Sequence, residues 1–280
     1  EGAVGRTPGG EVAYNAAALR VMQAENVAVN DLWSFVGPPD KRLAMGGRPK
    51  DVHYTEAGSR SLAGEVVKAV EAALKRGWLE LFDGRSLAGW RPYGKPSGTP
   101  VGEGWQVEGG VLHKRPGIKG GDIITERIFS DFELEWEWRL AKDANNGIKY
   151  CVTEKRPEAP GYEYQMLDDP SSRFKNIPVK SLTASFYEVL APAADKPLKP
   201  AGEWNLSRVV VRGERVEHWL NGRNVLEYTF GSEAVRAGVA NSKFKKFPDF
   251  GSKIVGHIML TDHQDEVWYR RISLRELDVK

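Results

Sequence analysis

The nine residues Phe132–Leu140, FELEWEWRL, alternate without a break. Phe132, Leu134, Trp136, Trp138 and Leu140 fall on one side, and Glu133, Glu135, Glu137 and Arg139 on the other. Successive side chains of a strand point to opposite faces, so this stretch suits a strand with one face buried and one in water, the pattern of an antiparallel sheet. A helix would scatter the same residues around its girth. From Trp78 onward the chain keeps this grammar in short runs separated by Gly, Pro, Asn or Asp: GWQVEGGVLHK, GIKYCV, YEYQML, ASFYEVL, VGHIMLTDH and VWYRRISLREL. VRGERVEHWLNGRNVLEY holds two turn signals, Gly213-Glu214 and Asn221-Gly222, and reads as consecutive hairpins. Roughly ten strands of this kind predict a mainly β chain folded as a jelly-roll sandwich.

Residues 11–75 have a different period. NAAALRVMQAENV spaces Ala18, Val21 and Met22 as a helix does, with Asn15 as its expected N-cap, and DLWSFV is stopped by Pro38-Pro39. In the next helix Thr55 is the expected cap, Leu62, Val66, Val67, Val70 and Leu74 form one apolar stripe, and Gly77 ends it. The grammar changes near Arg76–Gly77, so two domains are expected, 1–77 and 78–280. A net charge of +2 with no basic run and no zinc-ligand spacing gives no ground for nucleic-acid binding. The single cysteine, Cys151, excludes a disulfide framework and a CxxC motif. No apolar run has the length of a membrane span, and no signal peptide is visible. The chain opens on Glu1 rather than Met, which reads as a processed chain or a piece of a longer one.

The candidate chemistry comes from strand parity. In GHIMLTDH, His257, Met259, Thr261 and His263 share a face while Ile258 and Leu260 take the other. In GYEYQML, Glu163 and Gln165 share a face, and in NGIKYCV, Lys149 and Cys151 oppose Ile148 and Tyr150. If these faces meet, one sheet carries Lys149, Glu163, Gln165, His257 and His263, with Asp168 and Asp169 at the rim. Lys243, in NSKFKK, is a second cationic candidate, and Trp204 is the candidate stacking platform for a sugar ring. His113 and His218 read as surface and structural residues. No EF-hand or HExxH spacing is present, yet the His and carboxylate set leaves room for a divalent metal. No GxGxxG follows a strand, so no nicotinamide cofactor is predicted.

Five stretches in order, NNGIKY, GYEYQMLDD, GEWNLSRVVVRGERVEHWLNG, NSKFKKFPDFG and GHIMLTDHQDEVWYRRI, give residues 79–277 a resemblance to the 3-keto-disaccharide hydrolase domain family. The resemblance implies a concanavalin A-like fold and action on glycosides whose sugar carries a ketone at C3. Thr261 and Gln264 depart from it, since TDHQ stands where Gln-Asp-His-Gly is more usual. A C3 ketone acidifies the C2 proton, so a base, a cation at the C3 oxygen and an acid at the leaving oxygen suffice for elimination, with water then adding. On this expectation His263 is the base, Glu163 an acid with its pKa raised by burial, and Lys149 the enolate stabiliser. Gln165, Asp168, His257, Lys243 and Trp204 would bind substrate. A separate sugar 3-oxidoreductase is the implied partner, and a periplasmic or secreted location is expected.

DVHYTEAG and the helical stretch before it resemble the C-terminal end of SGNH (GDSL-like) esterases, in which an Asp and a His precede the last helix. Asp51 and His53 would be a vestigial esterase pair, because no Gly-Asp-Ser nucleophile block lies upstream of them. The whole chain then reads as a jelly-roll sandwich preceded by a short helical segment like the end of an SGNH α/β hydrolase. The alternative function is a non-catalytic carbohydrate-binding sandwich attached to an SGNH-type carbohydrate esterase.

Overall fold

The computed structural model describes residues 10–24, 29–37, 39–44, 54–75, 77–247 and 249–278. The chain divides between Arg76 and Gly77 into two compact units. The first contains α1 (Gly10–Ala24), α2 (Leu32–Val36), α3 (Pro39–Ala44) and α4 (Glu56–Lys75). Asn15, expected as a cap, lies inside α1, which begins earlier, at Gly10. Asp31 caps α2 by accepting from the Ser34 amide at 3.0 Å, and Thr55 caps α4 by accepting from the Gly58 amide at 3.3 Å. Pro39 opens α3, where a missing N–H costs nothing. The apolar stripe on α4 is largely open to solvent at Val66, Val67 and Val70. Asp51 and His53 lie outside the described residues.

The second unit is a sandwich of two antiparallel sheets. The larger holds β1 (Trp78–Glu80), β3 (Trp105–Glu108), β4 (Val111–Lys114), β6 (Phe132–Leu140), β9 (Asn205–Arg212), β10 (Arg215–Leu220), β11 (Arg223–Thr229) and β13 (Val267–Glu276). Its order is β11-β10-β9-β6-β13-β4-β3, with β1 also paired to β13. The smaller holds β2 (Trp90–Pro92), β5 (Ile123–Thr125), β7 (Asn145–Val152), β8 (Tyr162–Leu167) and β12 (His257–Leu260), in the order β2-β5-β12-β7-β8. A helix α5 (Glu233–Ala240) and a 3-10 turn at Lys243–Lys246 link β11 to β12. The turn residues act as their types demand: Asn221 and Gly222 both have positive φ (47° and 83°), the backbone of a tight hairpin. This is the jelly-roll sandwich expected from the alternation.

All five apolar residues of β6 face the interior at 2 % exposure or less. Both of its tryptophans find partners for their indole N–H: Trp136 donates to Met166 Sδ at 3.4 Å and Trp138 to Ser207 Oγ at 2.8 Å. The facing sheet contributes Ile148, Tyr150, Tyr162, Tyr164, Ile258 and Leu260 to the same core. His218 is also buried there, its Nε2 2.8 Å from the Tyr150 hydroxyl and its Nδ1 2.9 Å from the Ala184 carbonyl. One parity expectation fails. Cys151 has φ +52° and sits in the core rather than beside Lys149, because β7 bulges there: its register against β12 jumps from Val152 at His257 to Lys149 at Met259.

ASFYEVL is not a strand either. Ala184 and Glu188 both have φ +67°, which breaks any extended run. Instead the segment straps the free edge of β8. The Ala184 amide donates to the Gln165 carbonyl at 2.8 Å, and the Tyr187 amide to the Glu163 carbonyl at 3.1 Å. An open edge strand invites aggregation, and this strap closes it.

Candidate active site

Register fixes the site. Lys149 on β7 is directly across from Glu163 on β8 and, on its other side, from Met259 on β12. Met259 pairs with Ile124, and Ile124 with Arg91. Residues directly across from each other point the same way, so Arg91, Ile124, Met259, Lys149 and Glu163 form one row across the smaller sheet. The neighbouring row of Ile123, Leu260, Ile148 and Tyr164 faces the core, so the polar row lies on the face turned away from it.

Glu163 ends the row on the edge strand β8 and is 7 % exposed. Its Oε2 is 3.9 Å from Lys149 Nζ and its Oε1 is 3.7 Å from His263 Nε2. Oε1 is buried and accepts no hydrogen bond. Burial alone would push this carboxyl up, but Lys149, His263 and Lys243 together outweigh it and hold it below the ordinary carboxylate range. That corrects the expectation of a raised, protonated acid: Glu163 is a carboxylate at neutral pH. The space it occupies exists because residue 147 is glycine, since a Cβ there would lie 2.3 Å from Oε1.

A buried hydrogen-bond network underlies the row. Asn146 Oδ1 accepts from the Tyr269 hydroxyl at 2.6 Å and from the Gly147 amide at 2.8 Å, while its Nδ2 donates to the Thr261 carbonyl at 3.0 Å. The Thr261 hydroxyl donates to the Gly147 carbonyl at 3.0 Å. His263 follows on a loop anchored by Asp262. Asp262 Oδ1 pairs with the fully buried Lys114 at 2.9 Å, and its Oδ2 accepts from the Gly120 and Gly121 amides, both at 2.7 Å. Gln264 has φ +63°, the left-handed backbone that glycine adopts most easily, so the more usual Gly at this position has a conformational reason.

The structure gathers Lys149, His263 and Lys243 around the Glu163 carboxylate. Gln165 lies on the same face, buried, its amide donating to Asn145 Oδ1 at 3.1 Å. Three expected substrate contacts fall elsewhere. Trp204 packs against Arg139 and Arg270 of the larger sheet, at 5.2 and 4.1 Å, because the loop before β9 leads there. Asp168 closes a turn, its Oδ2 accepting from the Asp143 amide at 2.9 Å. His257 sits beyond the β7 bulge with its Nδ1 2.7 Å from the Thr125 carbonyl. It lies near the Arg91–Glu154 ion pair, in which Arg91 donates twice to the carboxylate, at 3.0 and 2.8 Å.

Sequence reasoning missed Tyr187, Arg91, Asn146 and the Lys114–Asp262 pair; NNGIKY and TDHQ carried the only signal for the last two. Among the described residues no group of three or more His, Cys, Asp or Glu side chains is placed to hold a metal ion. No described helix is long and apolar enough to cross a membrane.

On this two-sheet sandwich a carboxylate, lysines and a histidine converge on one outer sheet face, and the similarity to known proteins makes it a protein of the glycoside-hydrolase kind. The comparisons give the family. Residues 77–275 match the 3-keto-alpha-glucoside-1,2-lyase-like domain, and the chain belongs to that family. A relative from Bacteroides thetaiotaomicron, named 3-keto-disaccharide hydrolase, is 33% identical over 234 residues, covering 72% of this chain and 79% of its own. Two structures from Parabacteroides distasonis, each solved as a candidate glycosyl hydrolase, are similar. One is 32% identical with a TM-score of 0.65, covering 74% of this chain and 97% of its own. The other is 26% identical with a TM-score of 0.55, covering 71% and 99%.

Proposed function

We propose that this protein cleaves glycosides whose sugar carries a ketone at C3, by removing the C2 proton and expelling the group on C1, with water adding to the product. The observation that carries the reading is Glu163: an ionised, buried carboxylate with Lys149 at 3.9 Å and His263 at 3.7 Å. The His263 imidazole is the base, on a side chain partly open to solvent where a sugar can reach it, and Nδ1, the ring nitrogen other than the one facing Glu163, takes the proton. As it takes the proton, Glu163 holds the ring in place and stabilises the imidazolium. Lys149 meets the charge that develops on the C3 oxygen, and Lys243 is a second cation beside the Tyr187 hydroxyl. Gln165 offers its amide to a ring hydroxyl. The ketone must be made by a separate sugar 3-oxidoreductase.

The family description and the name of the Bacteroides relative support 3-keto-glucosides, of the α anomer, as first substrates. The test is release of 4-nitrophenol from 3-keto 4-nitrophenyl α-glucoside beside the unoxidised glucoside, with and without a chelator. Release from the keto substrate alone, lost in His263→Ala, is expected. Release from neither, with saturable binding of the unoxidised sugar, would replace this reading with the binding-module one.

A further inference from the structure

Elimination of a sugar or alkyl group needs a proton for the departing oxygen, and an ionised Glu163 has none to give. We propose that Tyr187 is a catalytic residue of this site, donating its phenolic proton to the oxygen that leaves C1. The inference rests on the elimination reading above.

The strap over β8 aims this residue. Its backbone N–H is bound to the Glu163 carbonyl at 3.1 Å, which ties the position of Tyr187 to that of Glu163. The left-handed residues Ala184 and Glu188 bracket it, each at φ +67°. Such a backbone costs on the order of 1–3 kcal/mol per residue and persists only where the surroundings impose it. Here the Glu188 amide donates to the Lys180 carbonyl at 2.9 Å, and its carboxylate accepts from the Ser181 hydroxyl at 3.0 Å. The side chain of Tyr187 is half-buried, and its hydroxyl lies within electrostatic reach of Glu163.

Lys243 completes the pair. Its Nζ lies 4.4 Å from the centre of the Tyr187 ring and donates to the hydroxyl oxygen at 3.4 Å. An ammonium only donates, so this contact leaves the O–H proton free for a ligand. Burial first, then Glu163 and Glu188, push the phenol up to about 12, so it keeps its proton at neutral pH. The step balances. The C2–H electron pair becomes the C2=C3 bond of the enolate as His263 takes the proton. That enolate collapses to break the C1–O bond, and the leaving oxygen takes the proton of Tyr187. The phenolate left behind faces the Lys243 ammonium. When water adds at C1 it gives a proton to the phenolate, and the imidazolium of His263 returns its own to C2.

The experiment compares Tyr187→Phe with wild type on two probes: 3-keto methyl α-glucoside, whose alkoxide needs a proton to leave, and 3-keto 4-nitrophenyl α-glucoside, whose phenolate does not. A general acid contributes roughly 10²–10⁴-fold. We expect a loss of that order on the methyl probe, and a loss at least about tenfold smaller on the nitrophenyl probe. Equal losses on the two, or none, would overturn the assignment, since a structural role would not track the leaving group. Lys243→Met gives a second reading should the Phe variant not fold: it should show the same bias toward loss on the methyl probe, and an unbiased loss counts against the assignment. Wild type failing on both keto probes would overturn the elimination reading itself, a result distinct from either variant's.

Discussion

Replacing Gly147 with alanine tests whether the seat of Glu163 is built as described. The added methyl would lie 2.3 Å from Glu163 Oε1 and 2.9 Å from its Cδ, where ordinary contacts begin at 3.4 Å. The φ of Gly147 is not in the left-handed region, so the cost is steric and not conformational. Relief requires a shift of about 1 Å by a buried carboxylate in a close-packed surround. Misplacing a catalytic group by about 1 Å costs on the order of 10²-fold in rate, and overpacking costs about 1–3 kcal/mol in stability. We therefore expect kcat/KM on 3-keto 4-nitrophenyl α-glucoside to fall about 100-fold. Urea unfolding should report a stability loss of about 1–3 kcal/mol. Glu163→Ala removes the atoms in conflict, so in that background the added methyl should cost under about 0.5 kcal/mol. An equal stability loss in both backgrounds would show that the crowding is not with Glu163, and the reasoning would fail.

Other consequences follow from the buried polar groups. Burial pushes the His218 imidazole down to about 4 from its ordinary 6.5, so the unfolded chain binds a proton that the fold refuses. That contribution is full above pH 6.5 and is lost as pH falls toward 4, by about 2 kcal/mol between pH 7.5 and 5; urea midpoints of wild type and His218→Gln at both pH values should show the slope shrinking in the variant. Lys114→Met strips the buried Asp262 carboxylate of its cation and should cost about 3–5 kcal/mol in chemical denaturation, with a loss of turnover because the His263 loop loosens. Lys149→Met should lower kcat on a 3-keto probe by about 10²–10³-fold and also lower the melting temperature, because it strips the buried Glu163 of a balancing cation; a variant of undiminished kcat would remove Lys149 from the chemistry.

Much of the sandwich was legible because alternation and turn chemistry are local. FELEWEWRL needs only its own period to declare its faces, and Asn221-Gly222 its own backbone preference. Lys149 and Glu163 were placed on one face correctly since β7 and β8 pair regularly at that point. Parity stops working at a bulge, which is why Cys151 turned into the core and His257 lies apart from the cluster. Trp204 was misplaced for another reason: a loop-to-strand context does not say which sheet the strand joins. Tyr187 was read as part of a strand because its neighbours are apolar and aromatic, whereas its place is set by Ala184 and Glu188 in a conformation that no side-chain pattern announces. The charge on Glu163 was misjudged because burial is readable from a strand pattern, while the cations that reverse its effect arrive from β7, from the loop after β12 and from the turn before Phe247.

The sign of the charge around Glu163 bears on mechanism as well as on protonation. Ordinary glycosidases pass through an oxocarbenium-like transition state, which is positive, and use two carboxylates about 5–9.5 Å apart. Here one carboxylate meets Lys149, Lys243 and His263, and Glu188, the other acid near the Tyr187 hydroxyl, is engaged by Ser181. A developing cation at C1 would meet a field made mostly by cations. An enolate, whose charge gathers on the C3 oxygen, would meet the same field with the opposite sign, and low local polarity strengthens that preference. Glu163 then does not compete with the enolate for the proton of His263, because it is already balanced by Lys149. Its work is to keep two cations, Lys149 and Lys243, close together although they would otherwise repel each other. On this account neutralising the carboxylate in Glu163→Gln should weaken turnover and also leave Lys149 and Lys243 uncompensated, so the variant should lose more activity as salt is lowered, when the repulsion is least screened. Turnover of the variant relative to wild type that is independent of salt would count against a compensating role for Glu163.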